Sequence, residues 1–259
     1  MESMTRISTL FLFICMKIWR YFNLRTFLAI AVSQVAAYLA IRFNIKFQVD
    51  LLLYGLCVVF PLHFSLQSAF KRRERALEYL SLFKGWCLAL HYSFQISIDL
   101  PVERKQTARD LLKGMELHLI QQLENRIGGF KLMQAKLDQV FSFVETNHKE
   151  ISKRNVLRMV RYLGNVAEAS TFLISLISHR TMAGLRFYSI FFIVILPLVQ
   201  GPLLLHRLES IIPTWSIYAL LAFSSLILAT LDNFQTMLEY PFDPKGMDNV
   251  KVREFELDI

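Results

Sequence analysis

"FPLHFSLQSAFKRRER", residues 60–75, passes without a break from an apolar run into a dense cationic cluster. The apolar part carries Pro61, His63 and Gln67, and Phe60 and Phe64 stand four residues apart. A helix breaker, an imidazole and an amide are costly against hydrocarbon, so the segment either packs on protein or lines water. The surrounding chain decides whether it lies in a membrane at all.

Of 259 residues, 54% are hydrophobic, and the mean hydropathy is +0.38. Four uncharged stretches account for the excess: Phe27–Ile41, Leu51–Phe70, Phe187–Leu205 and Ser210–Leu231. A helix needs ~20 apolar residues to cross a bilayer. The last three stretches approach or exceed that length. The first is shorter, but Arg25 and Arg42 flank it and can extend their guanidinium heads toward the headgroups. A fifth stretch, Gly85–Ile98, is too short to span and is expected to continue a helix along or just below the membrane surface. These features predict an integral, multi-pass membrane protein.

Residues 1–25 read as an interfacial helix leading into the first span. Trp19 and Tyr21 suit the headgroup layer, and Lys17 and Arg20 suit anionic lipid. Cationic flanks then set the orientation. Lys17, Arg20 and Arg25 precede the first span, Lys71, Arg72, Arg73 and Arg75 follow the second, and Arg180 and Arg186 precede the third. The opposite loops are short and weakly charged, so both termini and the middle of the chain belong on the positive-inside side. The expected class is an all-α membrane protein with four transmembrane helices, two and two, around a cytoplasmic helical region. Residues 26–70 hold the first pair of spans, 71–186 the cytoplasmic-side helices, 187–231 the second pair, and 232–259 a C-terminal tail.

Within the middle region a first helix enters at Pro101 and stops at Gly128–Gly129, with Leu111, Leu112, Met115, Leu119 and Leu123 on one face. A second carries Phe130, Met133, Leu137, Val140, Phe141 and Val144. A third starts near Ser152 and carries Val156, Met159, Val160 and Leu163. These stripes read as the core of a helical bundle.

The net charge is +8, but the cations gather at membrane boundaries and are interspersed with acids along the helices, which argues against nucleic acid and for membrane lipid and permeant anions as partners. Cys15, Cys57 and Cys87 lie in apolar runs without C-x-x-C spacing and read as small buried hydrophobes. No two of the six histidines are four residues apart, no G-x-S-x-G is present, and the four apolar stretches contain no carboxylate. No nucleophile, metal site or acid–base pair supports an enzyme, and no cofactor is implied.

That leaves the second span. Phe60, Phe64 and Ser68 share a helical face, with Ser65 and Gln67 to either side, and Pro61 opens the helix locally. Two phenylalanines at this spacing could simply pack between helices. The functional alternative is a pore neck: apolar at the rings, wetter toward Ser68, with phenyl edges weakly favourable to a partly dehydrated anion. Lys71, Arg72, Arg73 and Arg75 would concentrate anions at its mouth, beside their ordinary role as a positive-inside flank.

Here the sequence resembles the bestrophins, a family of pentameric anion channels. "FPLHFSL" at 60–66 is similar to the family's neck motif, an aliphatic residue followed by proline, leucine, serine and phenylalanine. "RALEYLSLFKGW" at 75–86 keeps an arginine and a glutamate, Arg75 and Glu78, at the family's spacing. "HRTMAGLRFYSIFFIVILPL" at 179–198 is similar to an R-T-P segment, with Met182 in place of the proline. "LEYPFDPKGMDNVKV" at 238–252 resembles the acidic-Pro-Phe motif after the last span. The resemblance covers most of the chain from about residue 20 and implies a homopentamer conducting chloride or a similar anion. Phe60 and Phe64 match two neck residues, whereas the third position is the polar Ser68. Animal members bind calcium after the Pro-Phe motif. Asp243 and Asp248 are too few and too separated for such a cage, so no metal site is expected. The competing expectation is a non-conducting membrane adaptor whose soluble helices dock a partner.

Overall fold

The computed structural model describes residues 23–179, 183–208, 211, 213–243 and 250–259, with backbone alone at 51, 53, 57, 183–186 and 189. Most of the expected interfacial helix therefore lies outside the described residues, as does Asp248. In order, the elements are α1 (Leu24–Arg42), α2 (Leu51–Ile96), α3 (Val102–Asn125), α4 (Lys131–Thr146), α5 (Lys153–Ser178), α6 (Ala183–Leu208), α7 (Thr214–Leu238) and a 3-10 turn at Val252–Phe255. The described residues contain no strand. They form two compact units. One comprises those within Met1–Ser68 and Thr181–Met237, the other those within Ala69–Arg180 and Leu238–Ile259.

In the first unit α1 buries a row of small residues, Ala29, Ser33, Ala36, Ala37 and Ala40, together with Thr26. Small side chains let helix backbones approach where lipid supplies no hydrophobic drive. Gly201 on α6 uses that approach: a Cβ there would lie 3.4 Å from the Ala36 carbonyl oxygen and 3.5 Å from the Ala40 methyl. Three polar contacts add direction: Asn233 Nδ2 donates to Thr26 Oγ1 (3.0 Å), Gln34 Nε2 to the Tyr218 carbonyl (3.2 Å), and Ser224 Oγ to Gln200 Oε1 (2.9 Å). α1 ends where Asn44 turns left-handed at φ 50°, with its amide on the Ile41 carbonyl.

Three helical segments are long and apolar enough to cross a membrane: Leu24–Arg42, Ile190–Leu208 and Thr214–Leu238. The remaining expected span, Leu51–Phe70, is helical within α2. α7 continues past the last apolar stretch, which ends at Leu231, as far as Leu238 and carries the buried Asp232. A carboxylate inside an otherwise apolar helix is expensive and points to a dedicated environment.

The second unit is built on the later part of α2. Ala76, Leu80, Phe83, Cys87, Leu90 and Phe94 alternate at spacings of four and three, and all are buried. Gly85–Ile98 thus continues α2 almost to its end and is a core element of this bundle. Opposite it pack Leu112, Met115, Leu119 and Leu123 of α3, Met133, Leu137, Val140 and Val144 of α4, and Met159, Leu163, Val166 and Leu173 of α5. Aromatic pairs fix the contacts: Tyr79 stacks on Phe172 at 3.8 Å, Trp86 on Tyr162 at 5.6 Å, and Phe94 meets Phe143 edge-on at 5.7 Å. Ser152 caps α5 by accepting from the Asn155 amide (3.4 Å). Phe141 and Val160, assigned to inner faces by spacing, are exposed.

Beyond α7 the chain folds back into the same core through Phe242, Val250, Val252 and Leu257. Polar clamps hold this closing segment. Arg253 forms a fork on Glu124 (2.9 and 3.1 Å), Lys84 Nζ donates to the Glu256 carbonyl (2.9 Å), and the buried Glu116 carboxylate accepts the Leu257 amide. Burial, with help from Glu256, raises Glu116 from an ordinary 4.5 to about 7; the Leu257 amide, Lys84 and Lys113 oppose this. An acid with a raised folded-state pKa favours the folded form while protonated, and that advantage fades as pH rises through the interval from 4.5 to about 7. Hydrogen exchange at the Leu257 amide, corrected for intrinsic rate, should show protection falling over that interval by on the order of 1–2 kcal/mol. In Glu116→Gln, where the side chain cannot ionise, the decline should flatten.

Candidate functional site

The first unit's portion of α2 presents one face outward. Leu56, Phe60 and Phe64, at successive steps of four, are 42%, 54% and 56% exposed, and Val59, His63 and Gln67 flank them. The Phe60 and Phe64 rings lie near-parallel with centroids 6.2 Å apart, and the His63 ring meets Phe64 edge-on at 6.0 Å. Pro61 is turned aside from them. With Val58 and Leu62 it lines a cavity of about 20 Å³ closed by Tyr188, Phe192, Ile193, Leu228 and Asp232. The proline thus meets protein, where its missing donor is tolerated, while the phenyl rings are left uncovered. Ser65 is buried, and Ser68 is half-buried beside the exposed Gln67. Leu56 extends the face one turn earlier; its spacing alone could have revealed it.

The four cations belong to the second unit and differ in kind. Lys71 and Arg75 are exposed, and Arg73 is half-buried. Arg72 is committed to structure. Its Nη2 donates to the His179 carbonyl (2.7 Å) and to the Leu176 carbonyl, closing the C-terminal end of α5. A guanidinium there satisfies carbonyls that lack partners within the helix and meets the negative end of its dipole. Burial works against the Arg72 charge, and Glu239 and Tyr240 support it.

No family model and no curated protein matches the sequence. Solved structures do match the fold. A bacterial bestrophin homologue from Klebsiella pneumoniae carrying one point substitution superposes with a TM-score of 0.73 at 13% identity, covering 89% of this chain and 94% of that one. A second substituted form gives 0.71 at 14% identity, covering 89% and 93%. A structure described only as a membrane protein gives 0.70 at 13%, covering 92% and 94%. The chain has the bestrophin fold. At this identity the likeness establishes architecture, and the site must be argued from its own residues.

Within the bestrophin fold seen here, the Pro-Phe segment after α7 is an anchor. Phe242 is buried in the second unit's core, and the Val250 amide donates to the Pro241 carbonyl (2.6 Å). Asp243 pairs with Arg126 (2.6 Å), whose guanidinium also stacks over the Tyr240 ring at 4.2 Å. Arg126 is itself left-handed, φ 56°, at the end of α3. Among the described residues no three His, Cys, Asp or Glu gather where they could hold a metal ion.

Arg72→Ala should strip the donor from two carbonyls at the end of α5 and destabilise the protein by about 1–3 kcal/mol. Arg72→Lys keeps the charge without the fork and should fall between. Lys71→Gln and Arg75→Gln should stay within about 0.5 kcal/mol of the parent. Unfolding of the full chain in mild detergent would measure all four.

Proposed function

We propose that the protein is a divergent bestrophin-like channel that passes chloride and similar anions passively. In this reading its four spans are arranged two and two around the cytoplasmic helices, and five copies close head-to-tail about an axis, with the outward face of α2 turned toward it. The observation that carries the proposal is the uncovered stripe Leu56, Phe60 and Phe64 beside a Pro61 that faces protein. A lipid-facing helix gains nothing from placing His63 and Gln67 beside that stripe, whereas a water column accommodates both.

Phe60 and Phe64 would form the neck. Their ring edges carry partial positive charge and give weak, unselective stabilisation to an anion that has shed water. Ser68 would make the inner end less apolar. Lys71, Arg73 and Arg75 raise the local anion concentration beyond it, and Arg72 contributes mainly by holding α5.

Reconstituted into chloride-loaded liposomes, the protein should release chloride down its gradient. Phe64→Ala, which widens the neck, should raise flux several-fold and shift the preference between thiocyanate and chloride; Phe60→Ala should act in the same direction. A verified pentamer without flux above protein-free liposomes, or variants indistinguishable from the parent, would overturn the channel reading in favour of a non-conducting adaptor.

A further inference from the structure

A second cavity of the first unit opens among α1, α6 and α7, with a volume of about 310 Å³. Its walls are apolar, from Leu28, Val32, Ile190, Ile193 and Val194, and its floor is open because Ala29 and Ala229 are small. Two charged side chains reach it, Arg25 and Asp232. The hydrogen bond from Asn233 to Thr26, the residues next along from these two, brings the start of α1 and the end of α7 to one level. Arg25 is exposed there and Asp232 is buried. Leu28, Ile190 and Val194 are exposed along the wall, so the cavity opens outward from the unit.

An apolar slot of this size, near the lower end of small-molecule pockets at ~300 Å³, with a cation and a carboxyl at one end, suits an amphiphile whose head carries both charges. We infer that it binds a phospholipid with a primary ammonium headgroup, of the phosphatidylethanolamine class. One acyl chain lies over Ala29 and Ala229, the phosphate meets Arg25, and the ammonium donates to the Asp232 carboxyl. Arg25 offers the phosphate a two-pronged donor, and a primary ammonium offers Asp232 hydrogen bonds that a quaternary one cannot. The carboxyl keeps its protein contacts in this arrangement, since its oxygens together accept several hydrogen bonds. The site needs only membrane insertion and is independent of conduction.

Native mass spectrometry of the full chain in mild detergent tests this, with equimolar phosphatidylethanolamine, phosphatidylcholine and phosphatidylglycerol of identical chains. Phosphatidylethanolamine should be retained several-fold over both others. Asp232→Asn should abolish that preference, Arg25→Gln should weaken retention of all three, and Ala29→Leu, which fills the slot, should do the same. Equal retention of the three lipids by the parent protein would overturn the proposal. So would stronger retention of phosphatidylglycerol, or a preference that survives Asp232→Asn. Should Asp232→Asn fail to fold, the three-lipid competition on the parent and the Arg25→Gln variant decide.

Discussion

A proline inside a helix removes a backbone donor and leaves a carbonyl in need of another partner, and α2 carries its proline on a side that meets protein. Pro61 is placed against Tyr188, Phe192 and Leu228, so the helix is held with one side on α6 and α7. Phe60 and Phe64, four residues apart, share a face about 60–100° around the helix from Pro61 and fall outside the side held by protein. The small residues of α1 and Gly201 of α6 let these helices pack closely without bulky apolar side chains. The uncovered aromatic face follows from how the rest of the unit is packed.

Much of the second unit was legible because its helices announce themselves. Pro101 starts α3, Ser152 caps α5, and the stripes through Met115, Val140 and Met159 reach the core. Misassignments have physical causes. Phe141 and Val160 each follow a buried neighbour, Val140 and Met159, by one position, and a turn of about 100° per residue carries them out of the core. The length of Gly85–Ile98 rules out a span without showing what the segment packs against; its Cys87, Leu90 and Phe94 continue a buried row begun at Ala76, and that continuity is the more telling signal. Asp232 was missed because an apolar count stops at the first charge, whereas a helix stops only where its backbone bonds end.

The site was partly legible. The stretch from Phe60 to Arg75 identified the exposed rings and the cations, but it could not separate Arg72 from Lys71 or Arg75. That distinction depends on carbonyls more than a hundred residues away at the end of α5. The same holds for Asp243, an isolated acid in the sequence whose ion-pair partner, Arg126, terminates α3. Long-range pairs of this kind leave no local periodicity.

The charged groups of the second unit share a pattern. Arg72 closes α5, Arg126 at the end of α3 holds the Pro-Phe segment, and Arg253 ties the closing turn to Glu124. Each joins a helix end or face to a distant part of the chain through a planar guanidinium, whose several donors fix direction as well as charge. A lysine would supply the charge and leave the direction loose. Cations engaged in this way are poor candidates to attract a mobile anion, because their donors are already occupied. The exposed Lys71 and Arg75 keep their ends in solvent and are free to act through the field. The number of cations therefore overstates how many can meet a solute directly, and accessibility sorts them better than their number does.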